Sequence, residues 1–487
     1  MWLTIGNDMN NTQLLTRRSA LEAVGCGFGS IALAGLLNQP GTASPAKNYG
    51  GTLGKRTRIP ARAKRVIFIF MQGGPSHVDS FDYKPILEKR NGESIAFDDD
   101  RTIAKTGERS TKQTLMKSLW KFRRYGESGR WVSDLFPEIA RHADKLCMVH
   151  SMHTEGVAHG PATLFLHCGA HNFVRPSMGS WIHYGLGSEN DNLPGFVSIC
   201  PSPGNGGARN YGSAFLSPVH TATTLGSAGR PAIDAKIRNL VNGRYRTDVQ
   251  LRQFELLQKL NAQQIQNRTG DAELDAVIKS YELAWRIQNN APQVLNLEQE
   301  TAETHKLYGI DNEVTESFGR QCLMARRLAE SGVRYIQLTY GDAGANPAWD
   351  QHSNMPKHMD HAKKVDKPVA GLLADLDRRG LLEDTLVWWG SEFGRTPYSQ
   401  ANGTGRDHNP SGFTMWLAGG GAKPGFAFGA TDEFGHEAVT NKVHMHDMHA
   451  TILHLLGLDH KQLTFNYSGR DFRLTDVHGR VAHDIVG

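Results

Sequence analysis

Cysteine is scarce in this chain. Five residues in 487 (Cys26, Cys147, Cys168, Cys200 and Cys322) form no CxxC pair and no close repeat. That spacing argues against a zinc ribbon or a disulfide-built scaffold. Excess charge of one sign is also missing. The net charge is only +5, and basic residues are scattered apart from short clusters such as Lys121–Arg124. Nothing in that distribution marks a nucleic-acid surface. Long apolar runs are absent as well. The most apolar stretch near the N-terminus, Ala20–Leu37, carries Glu22 and four glycines, poor material for a membrane span. No internal repeat and no long low-complexity tract appears. What remains, 39% hydrophobic and 21% charged residues, is ordinary globular composition in a chain long enough to bury a large core.

The N-terminus reads as an address. Thr16-Arg17-Arg18-Ser19 precedes the weakly apolar run, and small residues follow around Gly41–Ala46. Paired arginines, a short apolar stretch and small residues predict a twin-arginine export signal over 1–46. The expected destination is periplasmic or extracellular, with no transmembrane span in the mature form. A basic, Gly/Pro-bearing linker is expected over 47–62. A single folded domain should follow over 63–487, with a helical insertion at about 241–330.

Apolar runs mark buried strands at Arg65–Met71, Leu146–His150, Arg334–Thr339, Thr385–Trp389 and Phe413–Ala418. Helical periodicity lies between them, near Phe136–Ala143, Ser317–Ser331, Lys367–Arg379 and Met448–Leu456. Alternating strands and helices predict an α/β fold, a three-layer α/β/α sandwich with a mainly parallel sheet. Ligands of such sheets bind beyond the carboxyl ends of strands.

Those loops carry chemistry. Ser76, His77, Asp79 and Asp82 follow the first strand, and Asp350 and His352 follow the strand at 334–339. Glu392 and Arg395 follow the strand at 385–389, then come Arg406, Asp407 and His408, and finally His444, His446 and Asp447. Imidazoles and carboxylates drawn from several loops are what a divalent ion needs. Each is individually ordinary as a surface turn, salt bridge or helix cap. Their recurrence at successive strand ends is what points to a metal. Arg395 and Arg406 offer planar forks that match phosphate or sulfate oxygens.

The strings Gly73-Gly74-Pro75-Ser76-His77-Val78-Asp79, Trp349-Asp350-Gln351-His352, Glu392-Phe393-Gly394-Arg395-Thr396-Pro397 and Gly405-Arg406-Asp407-His408 resemble the domain-of-unknown-function 1501 family. That family looks like a distant branch of the alkaline phosphatase/sulfatase superfamily. The resemblance implies an alkaline-phosphatase-like domain, divalent metal ions (Zn, Mn, Ca or Mg) and a small-molecule or glycan ester substrate. Matched by motif order, Asp350, His352 and His408 resemble the ligands of one ion. Glu392 and Asp79 resemble carboxylates of a second, and Asp407 and His446 lie within reach of the set. The sulfatase CxPxR signature is absent. His159 falls where that superfamily places a Ser or Thr nucleophile, and could be a phosphoryl acceptor, a ligand or a general acid. Ser76, Ser151, Thr154 and Thr163 are alternative nucleophiles. The resulting expectation is an exported metal-dependent hydrolase of phosphate or sulfate esters, with Arg395 or Arg406 holding the anion. The alternative is a binding protein that keeps the fold and one structural metal.

Overall fold

The computed structural model describes residues 59–97, 112–237, 244–267, 272–344, 346–400 and 403–487. The expected export signal lies outside these residues, as does the expected linker apart from 59–62. The described residues divide into two compact units, one made of those within 238–284, the other of those within 59–237 and 285–487.

In chain order the strands that matter are β1 (Arg65–Met71), β2 (Leu146–His153), β3 (Phe196–Ile199), β4 (Thr223–Leu225), β5 (Tyr335–Tyr340), β6 (Thr385–Gly390), β7 (Gly394–Ser399), β8 (Arg406–Asn409), β9 (Phe413–Ala418) and β10 (Phe426–Phe428). The helices are α1 (His159–Cys168), α2 (Met178–Leu186), α3 (Thr247–Asn267), α4 (Ala272–Leu295), α5 (Glu316–Glu330), α6 (Lys357–Arg378) and α7 (Met445–Leu455). In the first unit the described residues belong mainly to α3 and the start of α4, where Gln258 Nε2 donates to Glu282 Oε1 at 3.0 Å.

The larger unit is built on a sheet in the order β10-β2-β9-β6-β1-β5-β3-β4. Its pairings are parallel except for those of β9, which runs antiparallel to β6 and β2. Every residue of β1 is buried. Val66, Phe68 and Phe70 join a core cluster with Trp181 and Ile182 of α2, Phe165 of α1 and Met448 of α7. Residues on alternate sides of a strand face opposite layers. The opposite face meets α5, whose Phe318 packs edge-on against Tyr340 at 5.5 Å. Helix α6 packs on α5 in turn. Helices therefore cover both faces, and the fold is the expected three-layer sandwich with a mostly parallel sheet.

Some boundaries differ. The short strands β3 and β4 lack the long apolar run that marked the others. Helix α6 begins at Lys357, ten residues before the expected start, and carries Pro368 in its interior. A proline there costs about 3 kcal/mol. The buried face of Ala362, Val365, Val369, Leu372, Leu373 and Leu376 outweighs that cost. Helix α5, expected within an insertion, is instead a covering helix of the sandwich. The four described cysteines are buried and free. Among the described residues no helix is long and apolar enough to cross a membrane.

Candidate metal centre

Four side chains from three separate segments meet beyond the carboxyl ends of β5 and β6. His159 opens α1, Asp350 and His352 lie in the turn after β5, and His408 lies in β8. One ligand atom from each falls within 4.8 Å of every other. His352 Nε2 is 2.8 Å from Asp350 Oδ1, and His408 Nε2 is 3.2 Å from the same oxygen. The two Nε2 atoms stand 2.9 Å apart, and His159 Nε2 is 3.2 Å from Asp350 Oδ2.

Local backbone brings these segments together. Strands β7 and β8 form an antiparallel pair in which Arg395 faces His408. The Asp350–His352 turn is tied to the start of β8 by Arg406 N donating to Gln351 O at 3.2 Å. Gly405 permits that approach, because a Cβ there would lie 2.0 Å from the His352 carbonyl carbon. Gly73, with φ +114°, permits a second approach, since its Cβ would meet Asp350 N at 2.8 Å.

The proton inventory defines what the cluster accepts. A backbone carbonyl can only accept, so the 2.6 Å contact between His408 Nδ1 and Val157 O puts the proton on Nδ1 and leaves Nε2 a lone pair. His159 Nδ1 likewise meets the Glu392 carboxylate at 2.7 Å. Its Nε2 is buried and faces Asp350 Oδ2. Two imidazole lone pairs and a carboxylate thus converge, with His352 completing the group. Burial works against charge on His159, yet the Asp350 and Glu392 carboxylates outweigh it and raise its pKa above the ordinary histidine value. Burial pushes His408 down to about 3. Asp350 resists its own burial because three imidazoles and Arg395 hold it well below the usual carboxylate range.

The donor set fits a divalent ion. Ligand bonds of about 2.1 Å in a tetrahedron place donors ~3.4 Å apart, inside the observed range of 2.8 to 4.8 Å. Phe393 walls one side, its ring 4.3 Å from that of His408 and 5.0 Å from that of His159. The side chains of His159, Asp350 and His408 are under 10% exposed, whereas His352 is 32% exposed and marks the solvent side.

The other sequence-predicted residues are placed differently. Glu392 is fully buried and spends its oxygens on His159, on the Ser391 hydroxyl at 2.6 Å and on Gly73 N at 3.0 Å. It orients His159 instead of joining the grouped donors. Asp79 and Arg406 are both fully buried and face each other at 2.7 and 3.3 Å. The remaining Arg406 donors go to the carbonyls of Thr396, Met116 and Lys117. Neither residue is in the cluster, and each nitrogen of the buried Arg406 guanidinium is bonded within the protein. Arg395 is also fully buried. It donates to the carbonyls of Gly73, Gly74 and Arg406 and, at 2.8 Å, to Asp350 Oδ1. Arg395, expected from the sequence to hold an anion, here bonds the Asp350 carboxylate. Asp407 Oδ1 accepts from His408 N at 2.8 Å and lies 3.6 Å from His352 Nδ1. His446 sits at the start of α7 against Phe165, His444 and His478, outside the grouped donors. Its pKa falls to about 2, chiefly through burial. Of the alternative nucleophiles, the Ser76 hydroxyl donates to Asp79 and that of Ser151 to Asn441 O, while Thr154 and Thr163 are buried. Sequence reasoning missed Phe393 as a wall, and Val157 and Gly73 as backbone anchors. Backbone groups leave no mark in residue identity.

No curated protein matches this chain. Among solved structures it is similar to Ps i-CgsB in complex with k-i-k-neocarrahexaose, at 11% identity over 81% of this chain and 72% of that one, TM-score 0.36. It is similar to the phosphonate monoester hydrolase SpPMH from Silicibacter pomeroyi, at 10% identity over 81% and 73%, TM-score 0.35. A third is alkaline phosphatase from the Antarctic bacterium TAB5, at 10% identity over 83% and 99%, TM-score 0.32. The model of the family described as protein of unknown function (DUF1501) matches residues 63–486, and the chain belongs to that family.

Proposed function

We propose that this protein is an exported metal-dependent hydrolase of phosphate or sulfate esters, with one ion held by His159, Asp350, His352 and His408. The observation that carries the proposal is the convergence of His159 Nε2, His408 Nε2 and the Asp350 carboxylate, with both imidazoles turning Nδ1 away to Glu392 and the Val157 carbonyl. Three imidazoles and one carboxylate suit zinc or manganese better than calcium or magnesium, which prefer all-oxygen shells.

A bound divalent ion would supply Lewis acidity toward an ester oxygen and a lowered pKa for water. The chain's own residues prepare the place. Glu392 and the Val157 carbonyl hold His159 and His408 in the Nδ1–H form. Arg395 anchors Asp350 and offsets its charge. Phe393 keeps water from one flank, leaving the His352 side for substrate. Hydrolysis joins a water oxygen to phosphorus or sulfur, breaks the bond to the alcohol oxygen, and delivers a proton to the departing alcohol.

Metal content and turnover of an aryl phosphate and an aryl sulfate by the purified chain and by Asp350→Asn test the proposal. Bound metal and turnover in the native chain, both lost in the variant, are expected. A native chain that takes up no ion sinks it. Export is tested separately by mass spectrometry of the mature N-terminus, which should begin beyond Leu37.

A second reading, a binding protein with a structural ion, draws on the same geometry. Four protein donors already complete a tetrahedron, the arrangement of closed structural sites. Stoichiometric metal without turnover of either ester would favour it.

A further inference from the structure

We infer that the centre holds one divalent ion per chain, that buried guanidinium groups take the place of a second cation, and that the site consequently suits singly charged esters. The inference rests on the hydrolase reading above and deepens it. Two carboxylates were expected to carry a second ion, and each is already engaged by groups of the protein. Asp79 meets Arg406 through both oxygens at 2.7 and 3.3 Å and also accepts from the Ser76 hydroxyl. Both partners are 0% exposed. A guanidinium stays protonated at any working pH, so no deprotonation frees Asp79 for a metal. Arg406 is further anchored by three carbonyls and has no room to swing aside. Glu392 is spent on His159, Ser391 and Gly73. Among the described residues only one group of donors is close enough to hold an ion.

The same commitment limits the substrate. Around the centre Asp350 and Glu392 stand against Arg395 and one divalent ion, which leaves a single positive charge. Asp407, 3.6 Å from His352 Nδ1, can only lower it. Arg395 and Arg406 are fully buried, and every nitrogen of each already bonds a carbonyl or carboxylate of the protein. A phosphate monoester carries nearly two charges above its second pKa of about 6, and here one of them would go unneutralised. A sulfate monoester or a phosphate diester carries one charge and matches the site.

The test is metal stoichiometry of the full chain after loading with zinc or manganese and dialysis, followed by turnover at pH 8. One ion per chain supports the inference. Two ions overturn it while leaving the hydrolase reading intact, and none overturns both. Asp79→Asn should retain its single ion if it folds, and an ion lost from a folded Asp79→Asn variant places Asp79 among the ligands and overturns the inference. In the one-ion protein kcat/KM for a bis-aryl phosphate or an aryl sulfate should exceed that for the matching aryl phosphate at least tenfold. Equal rates or a preference for the monoester overturn the substrate assignment. No turnover of any of the three removes the hydrolase reading and leaves the ion count standing.

Discussion

Glu392 accepts a hydrogen bond from His159 Nδ1 across 2.7 Å, and both side chains are buried. The carboxylate is fully buried and fixed by Ser391 and Gly73, and the imidazole is pinned at the first turn of α1. A carboxylate that orients an imidazole and raises its basicity typically contributes 10–100-fold to metal affinity. Glu392→Gln should therefore weaken binding by about that factor while leaving stoichiometry at one, as read by competition with a chelator. Unchanged affinity would mean that His159 is not a ligand.

Proton and ion compete for the same Nε2. The pKa of His159 is raised in the ion-free protein, since Asp350 and Glu392 outweigh its burial. A ligand nitrogen must be free of its proton, so affinity should begin to fall above the ordinary histidine range as pH drops, with protons released on loading in that window. Calorimetry in buffers of different ionisation enthalpy counts the protons. Affinity that stays flat with pH from above the ordinary histidine range down through it would show that His159 stands outside the site.

Gly405 sits where a methyl group would strike the His352 carbonyl carbon at 2.0 Å. Gly405→Ala should push the Asp350–His352 turn away from β8 and lower metal affinity at least tenfold. The core strands β1 and β6 lie outside that contact, so the far-UV spectrum should stay native. Native affinity in this variant would contradict the closeness of the two segments.

Asp79 and Arg406 form a buried pair, and removing one partner leaves the other charged and unsatisfied. Such changes cost about 3–5 kcal/mol. Asp79→Asn should lower unfolding stability by that order in urea, and Arg406→Met by a similar amount. A loss under about 1 kcal/mol would mean that the pair is solvated in solution.

Burial depresses His167 to about 3 and His449 to about 4. Both are neutral in the native chain and protonate near pH 6.5 when unfolded, so below 6.5 the unfolded state binds more protons. Stability is thus present above pH 6.5 and declines as pH falls toward 4 and 3. His167 Nε2 has no hydrogen-bond partner, and its ring lies edge-on to Phe70 at 4.8 Å. His167→Phe should flatten the acid limb of a melting-temperature profile. An unaltered limb would show that His167 does not couple folding to protons.

Legibility differed from element to element. Arg65–Met71, Thr385–Trp389 and Phe413–Ala418 were visible because a strand buried on both faces must be continuously apolar. Phe196–Ile199 and Thr223–Leu225 were too short to separate from loop. Lys357–Lys367 was missed because local rules place a proline at a helix start, whereas here the packed face overrides it. Asp350, His352 and His408 stood out as imidazole and carboxylate at strand ends. Arg395, Arg406, Asp79 and Glu392 stood out equally, yet their partners are backbone carbonyls, amides and one another, relations that residue identity does not reveal.

The sequence by itself determined the layered architecture and the pool of groups available for chemistry, because hydrophobic period and strand-end position are local properties. Only the tertiary structure decided which of those groups face a common point and which neutralise each other. That choice depends on chain segments hundreds of residues apart, such as Asp79 and Arg406, competing for the same few ångströms of buried space.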